Sequence, residues 1–248
     1  MDERNKRRQQ LDIGIFTICY NGYGQYIARW CKSIAESTVQ PTSATVALFG
    51  DNHGLSDEMA DECKRIIPRL NVVHCGEHAS IGTDRNKAVE ETRATWIMLL
   101  DADDALLPNG LEEIRKHASD DVDVVAVAYM EEKLNGGTKI HLPPEVITDE
   151  NLFKWRANWI SPYSPFRRLL WEETQYVDGE FPNAPMVFSF LRNNARWAST
   201  NIPCARHIRR ENTHSFRESG EERMRVNNIL DGYARSGLEI IRRRNIDT

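Results

Sequence analysis

The sequence lacks the cysteine pattern of a disulfide framework or of a zinc site. No C-x-x-C pair occurs, and the cysteines are odd in number and scattered: Cys19, Cys31, Cys63, Cys75 and Cys204. Such a set is typical of reduced thiols in a cytosolic protein. The pattern therefore argues against the small disulfide-rich class of secreted domains, and we expect a cytoplasmic location.

Long hydrophobic runs are also missing. The first ten residues are polar and charged, with no apolar segment behind them, which argues against a signal peptide. The longest wholly apolar stretches are 96–100 and 124–130, far below the roughly 18 residues that a membrane-spanning helix needs. We therefore expect no membrane span.

Charge is nearly balanced over the whole chain but unevenly placed along it. The formal net charge is −5 over 248 residues, which favours neither nucleic acid nor membrane as a general partner. Residues 190–248, however, contain 12 arginines, no lysine and 7 acidic residues. Arginine suits phosphate and carboxylate binding because its planar fork donates two hydrogen bonds at once. The plainer interpretation is an exposed Arg-rich helix.

Apolar strand-like runs alternate with amphipathic helix-like runs over the first 131 residues. The predicted strands are 11–19, 43–50, 70–75, 95–100 and 122–130, and the predicted helices are 25–37, 56–67, 83–93 and one from Pro108. This alternation predicts an α/β fold, a doubly wound, mixed but mostly parallel sheet with helices on both faces. Ligands of such sheets bind beyond the carboxyl ends of the strands.

The periodicity weakens after residue 131, where prolines and clustered aromatic residues interrupt it. The aromatic run from Trp155 to Phe166 could supply a stacking floor for a sugar or base. We expect it to lie mostly in the core, because large aromatic side chains dominate burial energetics. The pattern divides the chain into a polar N-terminal segment (1–10), an α/β half (11–131), a smaller irregular lobe (132–217) and a helical Arg-rich segment (218–248).

The strongest local feature is WIMLLDADDALLP, in which an apolar strand ends in three carboxylates. If the extended geometry continues past Leu100, Asp101 and Asp103 point to the same side. Carboxylates this close repel each other unless one is protonated or a cation lies between them. Mg²⁺ or Mn²⁺ suits such oxygen ligands, and a diphosphate can fill its remaining positions. The alternative is an acidic turn in which one residue caps the next helix.

The segment SIGTDRNKAVEET precedes that strand and carries a second feature. Gly82 permits a close backbone approach, and Thr83 or Asp84 is expected to cap the helix. Arg85 then lies in the first turn, where the helix N-terminus favours an anion, so it is a candidate phosphate clamp. The alternative is a surface arginine paired with a nearby glutamate. Asp51, at the end of the second strand, can accept the N–H of a base or hold the DNHG turn.

Four segments in this order resemble the signatures of the GT-A glycosyltransferases, and most closely the family 2 group of nucleotide-sugar-dependent inverting enzymes. They are IGIFTICYN, FGDNHGLSD, HASIGTDRNKAVEE and WIMLLDADDALLPNGLEEI, from about residue 12 to residue 119. SPYSPFRRLLWEE and CARHIRRENTHS match less clearly. Each motif alone is weak, but four in order are fairly specific. The resemblance implies a metal-dependent hexosyltransferase that moves a sugar from a nucleotide diphosphate, with uridine favoured, to an unidentified hydroxyl acceptor.

The resemblance also implies a role for each matching residue. The base pocket would be shaped by Cys19, Tyr20 and Asn21, with Asp51 hydrogen-bonding the base. Arg85 and Asn86 would face the diphosphate and the start of the sugar, and the ribose would meet Asp101 and Ala102. The metal, Mn²⁺ or Mg²⁺, would be bound by Asp101 and, more directly, by Asp103 of the Asp-x-Asp motif. Either His207 or His214 would complete its shell.

An inverting transfer also needs a carboxylate to take the acceptor's proton. In the family this is an acidic residue that opens a helix after a stretch like YVDGEFPNA, where this sequence reads Asn183-Ala184-Pro185-Met186. Three interpretations stay open: Glu180 or Asp178 acts as the base, the acceptor needs no strong base, or the chain binds a sugar nucleotide without transferring it. We expect the first. The third describes a non-catalytic binding or scaffold protein.

Two other enzyme classes fit the sequence less well. A nucleotidyltransferase would need a Gly-rich phosphate loop near the N-terminus, and GYG at 22–24 is too short for one. A phosphatase with an aspartate nucleophile is expected to carry it on the first strand, not the fourth. As for the acceptor, the Arg-rich tail permits a polyanion, nucleic acid included. Binding to a polyanion through that tail should then fall steeply with added salt.

Overall fold

The computed structural model describes residues 12–145, 161–178 and 195–210, with seven isolated positions (Met186, Val187, Phe190, Asn228, Asp231, Gly232 and Arg235). The predicted segment 1–10 lies outside the described residues, as does most of 218–248. No helix in the described part of the chain is both long and apolar enough to cross a bilayer.

Strands and helices alternate along the first described range as predicted. In chain order they are β1 (Ile13–Cys19), a 3₁₀ turn (Tyr23–Tyr26), α1 (Ile27–Ala35), β2 (Ser43–Leu48), α2 (Asp57–Ile66), β3 (Leu70–His74), α3 (Ile81–Glu90), β4 (Trp96–Leu99), β5 (Ala105–Leu106), α4 (Gly110–His117), β6 (Val124–Glu132) and β7 (Thr138–His141). The later elements are β8 (Phe166–Arg167), α5 (Arg168–Glu173) and β9 (Trp197–Ile208).

The described strands form one sheet in the order β3-β2-β1-β4-β8-β6-β9-β5, with β7 beside the end of β6. β1 to β4 pair in parallel, and β6 and β9 pair in parallel over a longer register. The short strand β8 is antiparallel to both β4 and β6, so β6 and β9 run in the same direction as β4. The carboxyl ends of β1, β2, β4, β6 and β9 therefore lie at one edge of the sheet.

Helices cover both faces, which confirms the predicted fold class. α1, α2 and α4 contribute to one apolar core, whereas α3 and α5 pack on the opposite face. Trp30 is wholly buried in the first core, and its indole N–H donates to the carbonyl of Leu100 at 2.9 Å. Burial of a side chain this large is worth about 2–3 kcal/mol, and the hydrogen bond fixes α1 against the end of β4. Within the predicted aromatic run, Tyr163 and Phe166 are buried as expected.

Two predicted helix starts are wrong. The helix expected from Pro108 begins at Gly110, because the Pro108 carbonyl accepts hydrogen bonds from Thr38 of the loop after α1. The helix after β3 begins at Ile81 and is capped by Ser80, whose Oγ accepts the N–H of Thr83 at 3.1 Å. Thr83 and Asp84 therefore lie inside the helix and do not cap it.

Candidate functional site

The turn after β4 carries the three carboxylates that the sequence singles out. β4 ends at Leu99, and the backbone N–H of Asp104 donates to the carbonyl of Asp101 at 3.0 Å, so the chain turns and does not continue as a strand. The extended geometry that would point Asp101 and Asp103 to the same side therefore does not continue past Leu100. The carboxylates are still close: burial, with Asp104 and Asp101 adding to it, raises the pKa of Asp103 to about 7. The turn thus concentrates negative charge in little space.

Asp104 is held entirely by the protein. Its carboxylate is 1% exposed and accepts hydrogen bonds from the Tyr163 hydroxyl at 2.6 Å and from the Ile208 N–H at 2.8 Å. These bonds attach the turn to the end of β9. Sequence analysis assigned Asp104 no role of its own, because nothing local in Asp-Ala-Asp-Asp indicates that the last carboxylate faces inward.

His207, one of the two predicted metal-ligand histidines, lies at this cluster. Its Nδ1 is 3.3 Å from the Asp104 carboxylate and 3.0 Å from the Tyr163 hydroxyl. Burial alone would lower the pKa of His207, but the hydrogen bond with Asp104 and the charges of Asp101 and Asp103 raise it. The other predicted histidine, His214, lies outside the described residues.

Arg85 reaches the same turn from α3. Its side chain is largely buried, its Nη2 donates to Asp101 Oδ1 at 3.2 Å, and its guanidinium lies 5.7 Å from the centre of the Tyr176 ring. Because α3 starts at Ile81, Arg85 lies in the second turn of the helix. The sequence predicted the first turn, and that prediction is wrong. Arg85 therefore reaches the cluster with its side chain and pairs there with Asp101, whose side chain is a third exposed. The structure thus brings together Arg85 and Asp101, although they are distant from each other in sequence.

Asp103 is contacted by two arginines that sequence analysis missed. Arg210 Nη2 donates to the Asp103 carbonyl at 3.1 Å, and its Nε lies 3.5 Å from the carboxylate. Arg29 of α1 donates to the same carbonyl. The Arg210 guanidinium stacks over the Tyr26 ring at 4.2 Å. The signal for Arg210 was only the Arg-rich composition of its region, and Arg29 carried none.

The predicted base-pocket residues lie at the ends of β1 and β2. Tyr20 stacks on His78, with ring centres 4.3 Å apart and planes 3° from parallel. The Nδ1 of His78 lies 2.6 Å from the buried carboxylate of Asp84, which fixes the ring. Asn21 has a positive φ of 46° and accepts a hydrogen bond from the Asn52 side chain at 3.2 Å. His78 was missed because no periodicity places it near Tyr20.

The other base and ribose candidates differ in exposure. Cys19 and Ala102 are buried, so each borders the site from within the core. The buried Cys19 thiol has a pKa well above its usual value, because burial disfavours the thiolate and Cys63 adds to the effect. Asp51 is exposed in the turn after β2. Of these three residues, only Asp51 presents a charged group to solvent at this edge.

Asn86 and Asp178 connect α3 to the segment after α5. The Asn86 amide donates to the Tyr176 carbonyl at 2.8 Å and accepts from the Trp171 indole at 2.9 Å, so its polar atoms are engaged within the protein. Asp178 accepts hydrogen bonds from Ser80 and from Thr83 Oγ1, and these bonds lower its pKa. Glu180 and residues 183–185 lie outside the described residues.

Gly82 makes the contact between α3 and this segment possible. A Cβ at that position would lie 2.3 Å from the carbonyl oxygen of Val177. The predicted close backbone approach is therefore confirmed, and it is made to Val177 and Asp178. The segment that carries Asp178 is thus held directly against the start of α3, one turn of helix from Arg85.

The residues around the turn fit a divalent cation by charge. Hard carboxylate oxygens are the ligands that Mg²⁺ and Mn²⁺ prefer. Burial, followed by the charges of Asp104 and Asp101, raises the pKa of Asp103, and a cation would offset both effects. Within the described residues, however, no group of three or more His, Cys, Asp or Glu side chains is arranged to hold a metal ion. Arg85 and Arg210 provide the positive charge nearest to Asp101 and Asp103. The carboxylate oxygens therefore suit Mg²⁺ or Mn²⁺, but a bound diphosphate would have to supply the remaining ligands.

Comparison with known proteins decides the family. The sequence profile described as Glycosyl transferase family 2 matches residues 14–194, which is most of the chain. The chain belongs to glycosyl transferase family 2. Its fold is similar to that of S. aureus TarS residues 1–349 in complex with UDP-GlcNAc, with a TM-score of 0.62 and 18% identity over 89% of this chain and 66% of that one. It is also similar to the mannosyltransferase PcManGT from Pyrobaculum calidifontis in complex with GDP-Man and Mn²⁺ (TM-score 0.60, 11% identity, 94% and 75% coverage).

The family 2 relatives that match by sequence are longer than this chain. EpsH of Bacillus subtilis (strain 168), which carries a glycosyltransferase name, is 28% identical over 106 residues, or 42% of this chain and 30% of EpsH. The uncharacterized glycosyltransferase MJ1057 of Methanocaldococcus jannaschii is 27% identical over 112 residues, or 45% of this chain and 39% of MJ1057. The matches therefore cover well under half of either relative.

Proposed function

We propose that this family 2 chain transfers a sugar from a nucleoside diphosphate donor, uridine type favoured, to a hydroxyl acceptor with inversion. The observation that carries the proposal is the meeting of Arg85 with Asp101, beside Asp103, at the carboxyl edge of the sheet. The solved neighbours with bound UDP-GlcNAc and GDP-Man support a nucleotide sugar as donor. An inverting transfer is a single displacement at the anomeric carbon, with the diphosphate as leaving group.

Charge on the leaving diphosphate is the main obstacle that the protein must offset. Arg85 is a fixed cation at this edge because Asp101 and Tyr176 hold its guanidinium in place. The N-terminus of α3, with Ser80 at its cap, adds the partial positive charge of its dipole. A divalent ion, Mn²⁺ or Mg²⁺, would be held by Asp101 and Asp103, with His207 or His214, and would neutralise the diphosphate as it leaves. Asp51, Tyr20 and Asn21 would take the base.

Proton removal from the acceptor is assigned to Asp178 or Glu180. Asp178 lies against the start of α3, where it accepts hydrogen bonds from Ser80 and Thr83 and is ionised at neutral pH, although these bonds lower its pKa and so weaken it as a base. An ionised carboxylate can accept a proton while the acceptor oxygen attacks. The alternative function, binding a sugar nucleotide without transfer, rests on the missing carboxylate at 183–186.

The Asp103→Ala variant tests the proposal. We expect it to abolish the metal-dependent hydrolysis of nucleotide sugars and to weaken UDP binding, because Asp103 is the more direct of the two proposed metal ligands. Asp61→Ala, an exposed aspartate on α2, is the matched control and should change neither quantity. The measurements are donor hydrolysis over a panel of nucleotide sugars, with and without Mn²⁺, and calorimetric UDP binding.

Two results would decide against parts of the proposal. Unchanged binding and hydrolysis in Asp103→Ala would refute the metal site. Tight donor binding by the wild type, with no turnover in the presence of any acceptor or of water, would favour the non-catalytic alternative. A polyanionic or nucleic-acid acceptor and a cytoplasmic location stay predictions.

A further inference from the structure

The hairpin of β6 and β7 presents a row of polar side chains on one face. Its register pairs Tyr129 with His141 and Glu131 with Lys139. Because side chains alternate along a strand and paired residues share a face, these four residues lie on the same side of the hairpin. The hairpin turn brings Lys133 near them, since the N–H of Lys133 donates to the Gly137 carbonyl at 2.7 Å. This face begins where β6 reaches the carboxyl edge of the sheet.

Glu131 forms the charged floor of this face. It is only 5% exposed, and its carboxylate contacts the His141 Nε2 at 2.7 Å and the Arg209 Nε. His141 in turn stacks on Tyr129, with ring centres 4.6 Å apart and planes 2° from parallel. The negative charge of Glu131 is therefore offset within the protein, and the ring of His141 is fixed by contacts on two sides.

A shallow, open cavity of about 480 Å³ lies on the surface over this floor, lined by Glu131, Lys133, Leu134, Asn135, Lys139 and Arg209. Arg209 offsets Glu131, whereas Lys133 and Lys139 form no ion pair with any described residue. The lining therefore carries an excess of positive charge. Such a surface raises the local concentration of anions.

The cavity lies next to the carboxylate turn, on the other side of the end of β9. Arg209 and Arg210 are consecutive, yet Arg209 extends to Glu131 and Arg210 to Asp103. Tyr129 connects the two places as well. The centre of its ring lies 5.6 Å from that of Tyr163, and the Tyr163 hydroxyl donates a hydrogen bond to Asp104 in the turn. A molecule in the cavity would therefore lie beside the site proposed for the donor.

We propose that this cavity is the acceptor subsite and that the acceptor is an anionic carbohydrate, a sugar or polyol whose phosphate or carboxylate group binds Lys133 and Lys139. The word acceptor rests on the proposed function, whereas the anion site itself does not. The two lysines select for the charged group. The stacked pair of Tyr129 and His141 lies on the same face of the hairpin and holds Glu131 in place through its contact with His141.

Binding to the full chain without donor tests the anion site. Ligand-observed NMR would compare glucose 6-phosphate and glucuronate with neutral glucose as probes. We expect both anions to bind, and glucose to bind at least about tenfold more weakly. Comparison of the two anions shows whether the site prefers a phosphate or a carboxylate group. The double variant K133E/K139E should lose this preference. K32E/K64E, which reverses the same charges on exposed helix surfaces, is the matched control and should keep it; unfolding midpoints check that both variants fold.

Donor hydrolysis measured in parallel separates this inference from the proposed function. Equal binding of glucose and the two anions by the wild type, or a preference that survives in K133E/K139E, would overturn the anion site even if the donor is hydrolysed. If anions bind through the two lysines but no nucleotide sugar is bound or hydrolysed, the anion site stands and the proposed transfer fails. Where both hold, a rate of sugar transfer higher with the anionic probes than with glucose would confirm the acceptor role.

Discussion

The ion pair between Arg85 and Asp101 is the contact on which the proposed donor site most depends, and a double-mutant cycle can measure it. The variants are Arg85→Gln, Asp101→Asn and the two together. Each single change removes one charge; asparagine keeps the shape of Asp101, whereas glutamine is shorter than Arg85, and the cycle subtracts the effect of that shorter side chain. Loss of the interaction therefore appears as a coupling free energy of unfolding, free of most effects of changed volume.

The expected coupling follows from the geometry. Two unit charges at the observed 3.2 Å attract by about 5 kcal/mol at the effective dielectric constant of about 20 that suits protein sites. Desolvation of the arginine, whose side chain is 9% exposed, and solvent access to a third of the Asp101 side chain reduce this value. Only one N–H of the guanidinium is aimed at the carboxylate. We therefore expect a coupling of about 1–2 kcal/mol.

Urea unfolding of the four proteins at neutral pH gives the coupling directly. A second cycle on Lys32 and Glu36 is the control, because these helix residues lie 3.8 Å apart with both side chains more than half exposed. That pair should couple by no more than about 0.5 kcal/mol. If the coupling of Arg85 and Asp101 is no larger than the control, the pair is not formed in solution. UDP binding should weaken in both single variants of the first pair and in neither variant of the second.

Two further predictions concern stability. Gly82→Ala would place a Cβ 2.3 Å from the Val177 carbonyl oxygen, so we expect a loss of about 1–3 kcal/mol in urea unfolding; an unchanged unfolding midpoint would contradict the close approach. Hydrogen bonds from Arg196 lower the pKa of Asp123. The pair's contribution to the free energy of unfolding is therefore present above pH ~4 and is lost as pH falls through the lowered pKa. Asp123→Asn should thus be about 1 kcal/mol less stable at pH 7 and equal to wild type near pH 2; a constant difference would refute the assignment.

The parallel half of the sheet could be predicted from the sequence because its signals are local. Each of β1 to β4 is a short apolar run with a helical pattern close behind it, and parallel strands need such a crossover. β9 could not be predicted in this way. It carries Pro203 and the polar Asn201, and its partner β6 lies some seventy residues earlier, with shifts in register near Ala126 and Ala128. Long-range pairing of this kind leaves little trace in a local pattern.

The residues of the candidate site also divide into those with a local sequence signal and those without one. Arg85, Asp101 and Asp103 were found because each follows a strand or lies in a helix whose place at the carboxyl edge is set by the fold. His78, Arg29 and Arg210 were missed because their contacts depend on how a loop, α1 and the end of β9 pack around the turn. The capping error at α3 has a similar origin. Ser80, Thr83 and Asp84 are all acceptable caps by residue type, and only the backbone shows which one precedes the helix.

The three aspartates of one turn acquire different roles through their partners. Asp104 is sealed by the Tyr163 hydroxyl and the Ile208 N–H, so it supports the turn and has no face left for a ligand. Asp101 and Asp103 are held by the side chains of Arg85 and Arg210, whose charge-assisted contacts can be shared with a phosphate without breaking the backbone of the turn. One fixed carboxylate thus supports two carboxylates whose partners can exchange, and this arrangement is compatible with the proposed site for a cation and a diphosphate. It also places the support on β9, the strand whose end separates this turn from the basic cavity of the hairpin.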